Sequence, residues 1–223
     1  MAVNDDAPSR TPLDRALILR AAIEVADERG LEALSMRSLA GRLGVTAMSL
    51  YNHVANKDEI LGGMIDAVFD EIELPAGAEW KAAIRTSSLS AREALVRHPW
   101  ASELLTSALS PGPARLRHSD WQLRTLRAGG LSDELVFHAF HVLESQLLGS
   151  TVQQLNLPVP GEELAAMAAN YLEAFPVEEY PDMGEHIRQH VDPDRHRTRT
   201  GFEFALDLIL DGLEHARDAE GSG

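Results

Sequence analysis

With 223 residues, 44% of them hydrophobic and only 5% aromatic, the chain has material for one large or two modest domains with a buried core. It contains no cysteine, which excludes a disulfide framework and a cysteine-based zinc site. No apolar run is long enough to span a bilayer, and the opening MAVNDDAPSRTP lacks the basic-then-apolar order of a secretory signal, so a cytoplasmic protein without a membrane partner is expected. The net charge of −15 speaks against broad attraction to nucleic acid. That charge is uneven: Met1 to Ile60 holds seven Lys plus Arg against nine Asp plus Glu, and the remainder thirteen against twenty-six. In chain order, residues 1–12 read as a flexible arm whose one basic residue is Arg10. A first helix is predicted from Leu13 to Arg29, with Leu17, Ala21, Ile23, Val25 and Ala26 as its apolar members and Gly30 as its stop.

Residues 34–61, LSMRSLAGRLGVTAMSLYNHVANKDEIL, carry the most informative pattern. Ser35 offers an acceptor to the amides of a first turn, and Met36, Leu39, Ala40 and Leu43 recur three and four apart as one apolar stripe. Gly44 can take the left-handed conformation that ends this helix; Val45 plugs the corner and Thr46 caps the next helix. Ala40 is small and lies four residues before Gly44, so the two helices can cross closely as a helix-turn-helix. Leu50 and Val54 turn inward, which leaves Ala47, Met48, Ser49, Tyr51, Asn52 and His53 on or near an outer face. Their phenol, amide, imidazole and thioether groups suit base edges and phosphates. Asn56 caps a third helix with Asp58 and Glu59 in its first turn, and Lys57 stands beside the open amides where a phosphate fits.

The LGV corner, the Leu50-Tyr51 pair, His53-Val54 and Asn56-Lys57 together resemble the tetracycline-repressor (TetR) family of transcriptional regulators, with the likeness covering residues 13–65. The resemblance implies an all-α protein with an N-terminal three-helix DNA-binding domain and a helical ligand-binding and dimerisation domain. It also implies a homodimer that binds a palindromic double-stranded DNA operator and is released by a small-molecule effector. By position, Arg37, Ser49, Tyr51 and His53 match family DNA contacts, while Met48 replaces a commonly small or proline residue, so base preference does not carry over. The expected division is 1–12 arm, 13–60 helix-turn-helix domain continued by a connecting helix over 56–73, 74–218 effector and dimer domain, and 219–223 tail. DNA-contacting candidates are Ser35, Arg37, Thr46, Ala47, Met48, Ser49, Tyr51, Asn52, His53 and Lys57.

Beyond Pro75 and Gly77 no sustained two-residue alternation signals a strand. Proline and glycine breaks predict helices over Trp80–Arg97, Pro99–Leu109, Pro113–Arg127, Asp133–Asn156, Gly161–Phe175 and Gly201–Ala216. Residues 175–200 read as a long loop with one helical insert near Met183 to Val191. The helices over 133–156 and 201–216 are too broadly apolar for one neighbour to cover, which predicts a homodimer seam at Leu135, Ala139, Val142, Leu143, Ile209 and Leu213. In the TetR family these two helices in chain order typically form such an interface.

A ligand cavity between helices needs apolar walls and a few polar fixtures. Trp100, Leu104 and Trp121 supply candidate walls, and Gln122, His138, His141 and Gln146 candidate fixtures. Through the resemblance, Gln122 falls where tetracycline repressors keep a drug-contacting glutamine. Their magnesium-binding histidine falls at Thr106 and its acidic partner at Gln153, which leaves the effector's identity open. His186 and His190, four apart, with His196, Asp192 and Asp194, offer an alternative reading as a metal-responsive regulator. No metal site and no cofactor is assigned. With no GxSxG, phosphate loop or cysteine nucleophile, no enzyme is expected. A third reading is an acidic helical scaffold without DNA binding.

Overall fold

The structure is a computed structural model that describes residues 12–107, 110–156, 161–191 and 200–222. Among the described residues every regular element is helical: α1 (Arg15–Arg29), a 3-10 turn (Leu31–Ala33), α2 (Met36–Leu43), α3 (Ala47–Tyr51), α4 (Lys57–Asp70), α5 (Trp80–Arg97), α6 (Trp100–Leu105), α7 (Pro113–Ala128), α8 (Asp133–Asn156), α9 (Gly161–Ala174), α10 (Pro181–Val191) and α11 (Gly201–Glu220). The expected all-α architecture is therefore observed. No helix is long and apolar enough to cross a membrane among these residues. The arm through Thr11, and the loop at 192–199 with Asp192, Asp194 and His196, lie outside the described residues.

The described residues form two compact units, one holding the chain up to Ile72 together with Arg97–His118, the other Glu73–Val96 and Ser119 onward. In the first unit Ile18, Ala22 and Val25 of α1 are buried with Leu39, Leu50, Ile60, Met64 and Val68. Close packing of α1 and α4 depends on Gly63, where a Cβ would fall 2.7 Å from Leu19. Residues 97–118, which the sequence reading put in the helical back half, pack with the headpiece. Two carboxylates draw them there. Asp27 of α1 accepts the Trp100 indole N–H at 2.6 Å and lies 2.8 Å from His98 Nδ1, and Asp66 of α4 accepts the Ala114 and Arg115 amides at 2.7 and 3.0 Å.

The second unit is built on α8 and α11, whose Val136, Ala139, Leu143, Phe202, Leu206 and Leu210 share a core with Trp80, Ile84, Leu126 and Leu131. An ion-pair ladder ties α5 to α11: Lys81 to Asp211 and Glu214 at 2.6 and 2.7 Å, then Arg85 to Asp207 and Glu203 at 2.8 and 3.5 Å. The hydrogen bonds that Lys81 donates to Asp211 and Glu214 raise its pKa. α9 and α10 pack on each other, with the rings of Tyr171, Phe175 and Tyr180 in succession. Helix ends differ from expectation: α1 begins at Arg15, α4 spans Lys57–Asp70, α6 ends at Leu105, and α11 continues one turn further to Glu220.

Candidate nucleic-acid interface and ligand clefts

The corner between α2 and α3 is closed by local bonds. Ser35 accepts the Ser38 amide at 3.0 Å, and Ser38 Oγ in turn accepts the Ser35 amide at 2.9 Å. Gly44 takes the left-handed conformation (φ 65°), and the Val45 amide reaches back to the Ala40 carbonyl at 3.0 Å, the bond that lets a helix end in a sharp reversal. Thr46 then caps α3 through the Ser49 amide at 3.2 Å, and Asn56 caps α4 through the Glu59 amide at 2.8 Å. Leu50 and Val54 are buried. Around them Thr46, Met48, Tyr51, Asn52 and His53 are exposed and Ala47 and Ser49 half-buried, with Ser35, Arg37 and Lys57 also exposed. All ten candidates thus reach solvent, and the two hydroxyls Ser35 and Thr46 are held by capping.

Pairing separates the cations of this segment. Arg42 donates to Glu24 and Glu28, each at 2.8 Å, and the hydrogen bond from Arg42 lowers the Glu28 pKa. This double clasp fastens α2 to α1 and leaves Arg42 committed. Arg37 and Lys57 make no ion pair or hydrogen bond among the described residues. Two unpaired cations and a polar outer face suit phosphate and base contact.

The seven effector candidates are divided between the two units. Trp100 and Leu104 are buried in the first unit, the indole spent on Asp27. In the second unit, half-buried Trp121 lines a cleft of about 660 Å³ with Trp80, Arg124 and Thr125. Gln122 is 5% exposed and its Oε1 accepts no hydrogen bond; Ser87 Oγ in the same unit is likewise unsatisfied. Gln146 lines a different cleft, of about 570 Å³, with Arg92, Ser150, Gln153 and Thr200. His138 and His141 do not fill a cavity of the protomer: both are exposed on α8, the latter with Nδ1 2.8 Å from the Phe137 carbonyl and its ring 4.5 Å from Phe137. Burial of the opposite α8 face turns them outward.

The seam candidates divide as well. Ala139 and Leu143 are 0% and 4% exposed inside the protomer's own core, so they offer no surface to a second copy. Leu135, Ile209 and Leu213 are half-buried and Val142 is exposed. Exposed beside them are Phe137, Phe204 and Leu208, a stripe that periodicity alone does not separate from the inner one. Among the described residues no three His, Asp or Glu side chains cluster to hold a metal, and the loop histidines fall partly outside them. Arg92 and the Asp27–His98 clasp were not singled out from sequence, because each is defined by a partner far along the chain.

These features define a helix-turn-helix regulator. Residues 18–64 match the sequence model of the bacterial regulatory proteins, tetR family, and residues 74–217 that of the tetracyclin repressor-like C-terminal domain. The chain belongs to the TetR family and is a transcriptional repressor of that family. It is 32% identical over 223 residues to the HTH-type transcriptional repressor DrrR1 of Streptomyces coeruleorubidus, an alignment covering 93% of this chain and 80% of that protein. It is 28% identical over 206 residues to the class D tetracycline repressor protein of Escherichia coli, covering 91% and 89%. Among solved structures, the Streptomyces coelicolor TetR family protein ActR in complex with actinorhodin superposes with a TM-score of 0.76 at 28% identity, covering 93% of this chain and 99% of that one.

Proposed function

We propose that the protein is a homodimeric repressor that acts by binding alone: two headpieces hold a palindromic operator, and a small molecule bound in the helical region releases it. The observation that carries this reading is the headpiece surface, where Met48, Tyr51, Asn52 and His53 are exposed over buried Leu50 and Val54, flanked by Arg37 and Lys57, which are unpaired among the described residues. Two such surfaces read half-sites about 34 to 36 Å apart, or a longer helical multiple. The dimer is supported by the apolar stripe of Phe137, Val142, Phe204 and Leu208, large side chains that a monomer would leave in water. Effector binding is supported by the unsatisfied buried groups Gln122 Oε1 and Ser87 Oγ, since buried polar atoms are normally hydrogen-bonded and a ligand's polar groups would serve them. A ligand that prefers the arrangement unable to fit both half-sites lowers operator affinity by its preference, typically ~1 to 3 kcal/mol.

The test is a gel shift on the promoter region of the protein's own gene with wild type and Tyr51→Ala. Tyr51 is 49% exposed, so its loss should weaken binding at least tenfold and leave the unfolding midpoint unchanged. Equal affinity in the two proteins would remove α3 from the DNA interface.

A further inference from the structure

Among the described residues the second unit contains one cation without a counter-charge. Its other described cations all have a carboxylate within ion-pair distance: Lys81 and Arg85 on α11, Arg124 with Asp120, Arg127 with Asp133, Arg188 with Glu185, and Arg217 with Glu214 and Asp218. Arg92 is the exception among the described residues. The cause lies in the ladder between α5 and α11. Lys81 and Arg85 meet acids on successive turns of α11 running back toward its start, and the last of these is Glu203 in the first turn. Arg92, two turns beyond Arg85 on α5, falls where the acidic stripe has run out. Glu203 itself is engaged, its carboxylate accepting from the Thr200 amide and hydroxyl, which lowers its pKa.

The guanidinium is held in place without being neutralised. Its carbon lies 5.2 Å from the centre of the Phe202 ring, and Nη2 donates to Gln154 Oε1, an uncharged acceptor. Its Nε is buried and has no acceptor among the described residues. The space beside it is the 570 Å³ cleft, walled by Gln146, Gly149, Ser150 and Gln153 of α8 and by Thr200, Gly201 and Ala205. The side-chain amides of Gln146 and Gln153 make no hydrogen bond among the described residues, so donors and acceptors are in reserve on the wall facing the cation. A buried, unsatisfied guanidinium N–H costs stability unless an acceptor arrives, and the planar fork matches an oxyanion with two coplanar oxygens.

We propose that this cleft is an oxyanion-binding subsite that takes the carboxylate of a small organic acid, with Arg92 as the specificity-determining cation and Gln146 and Gln153 as flanking amides. The charge count favours a carboxylate over a phosphate monoester. One guanidinium balances one negative charge, and a dianion would keep an uncompensated charge in a strongly acidic chain. The proposal rests on the reading of this region as effector-binding and gives that effector a chemical class.

The experiment follows the arginine Nε–H resonances of the full-length, 15N-labelled protein, without DNA, during titration with 2-naphthoate, 2-naphthamide and 2-naphthyl phosphate. The Arg92 resonance is assigned by its loss in Arg92→Gln. The acid should shift it saturably, the neutral amide should bind at least tenfold more weakly, and the phosphate should bind no better than the acid. Arg92→Gln should lose at least tenfold in affinity for the acid, with Arg92→Lys in between. Should Arg92→Gln not fold, Arg92→Lys and Gln153→Leu carry the comparison, each weakening the acid more than the amide. No shift with the acid, equal affinity for acid and amide, or affinity unchanged in the variants overturns the proposal, and tighter binding of the phosphate overturns the carboxylate assignment. Because no operator is present, such a failure leaves the repressor reading intact, and a protein that bound the acid but no operator would separate the two the other way.

Discussion

Lys57 and Arg42 carry the same charge and lie within one small domain, yet they differ in pairing, and the proposed DNA contact separates them on that ground. Lys57 is exposed at the start of α4 with no partner among the described residues, whereas Arg42 is clasped by Glu24 and Glu28. Each lysine that neutralises a phosphate releases counterions, and log K then falls against log salt with a slope of about 0.9 per contact. In the proposed dimer Lys57→Ala removes two contacts, so the slope should fall by about 1.8. Between ~50 and ~200 mM salt the variant's deficit against wild type should therefore shrink roughly twelvefold. Arg42→Ala should leave the slope unchanged, because that guanidinium is already neutralised, although loss of the α1–α2 clasp lowers the unfolding midpoint. Fluorescence anisotropy with operator and with unrelated duplex, at four salt concentrations, measures both slopes. Parallel lines for wild type and Lys57→Ala, or a flattening in Arg42→Ala as large as in Lys57→Ala, would refute the assignment of phosphate contact by ion-pair status.

Three further outcomes follow from burial. His118 is 4% exposed beside Phe69, and desolvation pushes its pKa down to about 4, from 6.5. The unfolded chain binds the proton first as pH falls, so stability is lost between about pH 6.5 and 4, by roughly 2 kcal/mol at pH 5 and 3 at pH 4. Urea unfolding should show that part of the acid sensitivity removed in His118→Gln, and an imidazole titrating near 6.5 by NMR would contradict it. Leu208→Glu alters a side chain 57% exposed in the protomer and should yield a folded monomer by light scattering; Leu143→Glu, inside the core, should unfold the protein, and a folded dimer in Leu208→Glu would move the seam. Gly129→Ala places a Cβ 2.4 Å from Trp80 Cγ and should cost about 1 to 3 kcal/mol in urea unfolding, a cost below 0.5 meaning that the indole shifts freely.

Local chemistry made the headpiece readable from sequence. Caps at Ser35, Thr46 and Asn56, and the left-handed Gly44, are decided by bonds spanning three to five residues, so residue type and spacing suffice. The helical unit was less legible because periodicity says that a face is apolar, not what covers it. α8 has an inner face at Val136, Ala139 and Leu143 and an outer one at Phe137 and Val142, and the seam expectation mixed the two. Trp100 has the composition of a pocket wall, but its N–H is bound by Asp27 on α1. His138 and His141 are three apart on α8, a spacing that puts both on one side without saying whether that side meets protein or water.

Charge shows the same dependence on partners. The net −15 is a sum over all residues, whereas binding is decided by the charges left after internal pairing. The α11 acids Glu203, Asp207, Asp211 and Glu214 answer Lys81 and Arg85, and Glu24 and Glu28 answer Arg42. Among the described residues Arg20, Arg29, Arg37, Lys57 and Arg115 of the first unit and Arg92 of the second are left without an ion pair, and of these Arg37 and Lys57 flank α3 while Arg92 lines the cleft of the second unit. A headpiece whose seven basic residues up to Ile60 are outnumbered by nine acids gains little on random duplex, since non-specific affinity scales with the number of phosphates neutralised. In the proposed dimer discrimination then rests on the exposed side chains of α3 and on doubling by the second headpiece, because two weak sites held at a fixed spacing gain through effective concentration without any new contact. In the proposed mechanism a modest change in spacing releases such a repressor, because the loss of simultaneous engagement removes the doubled term.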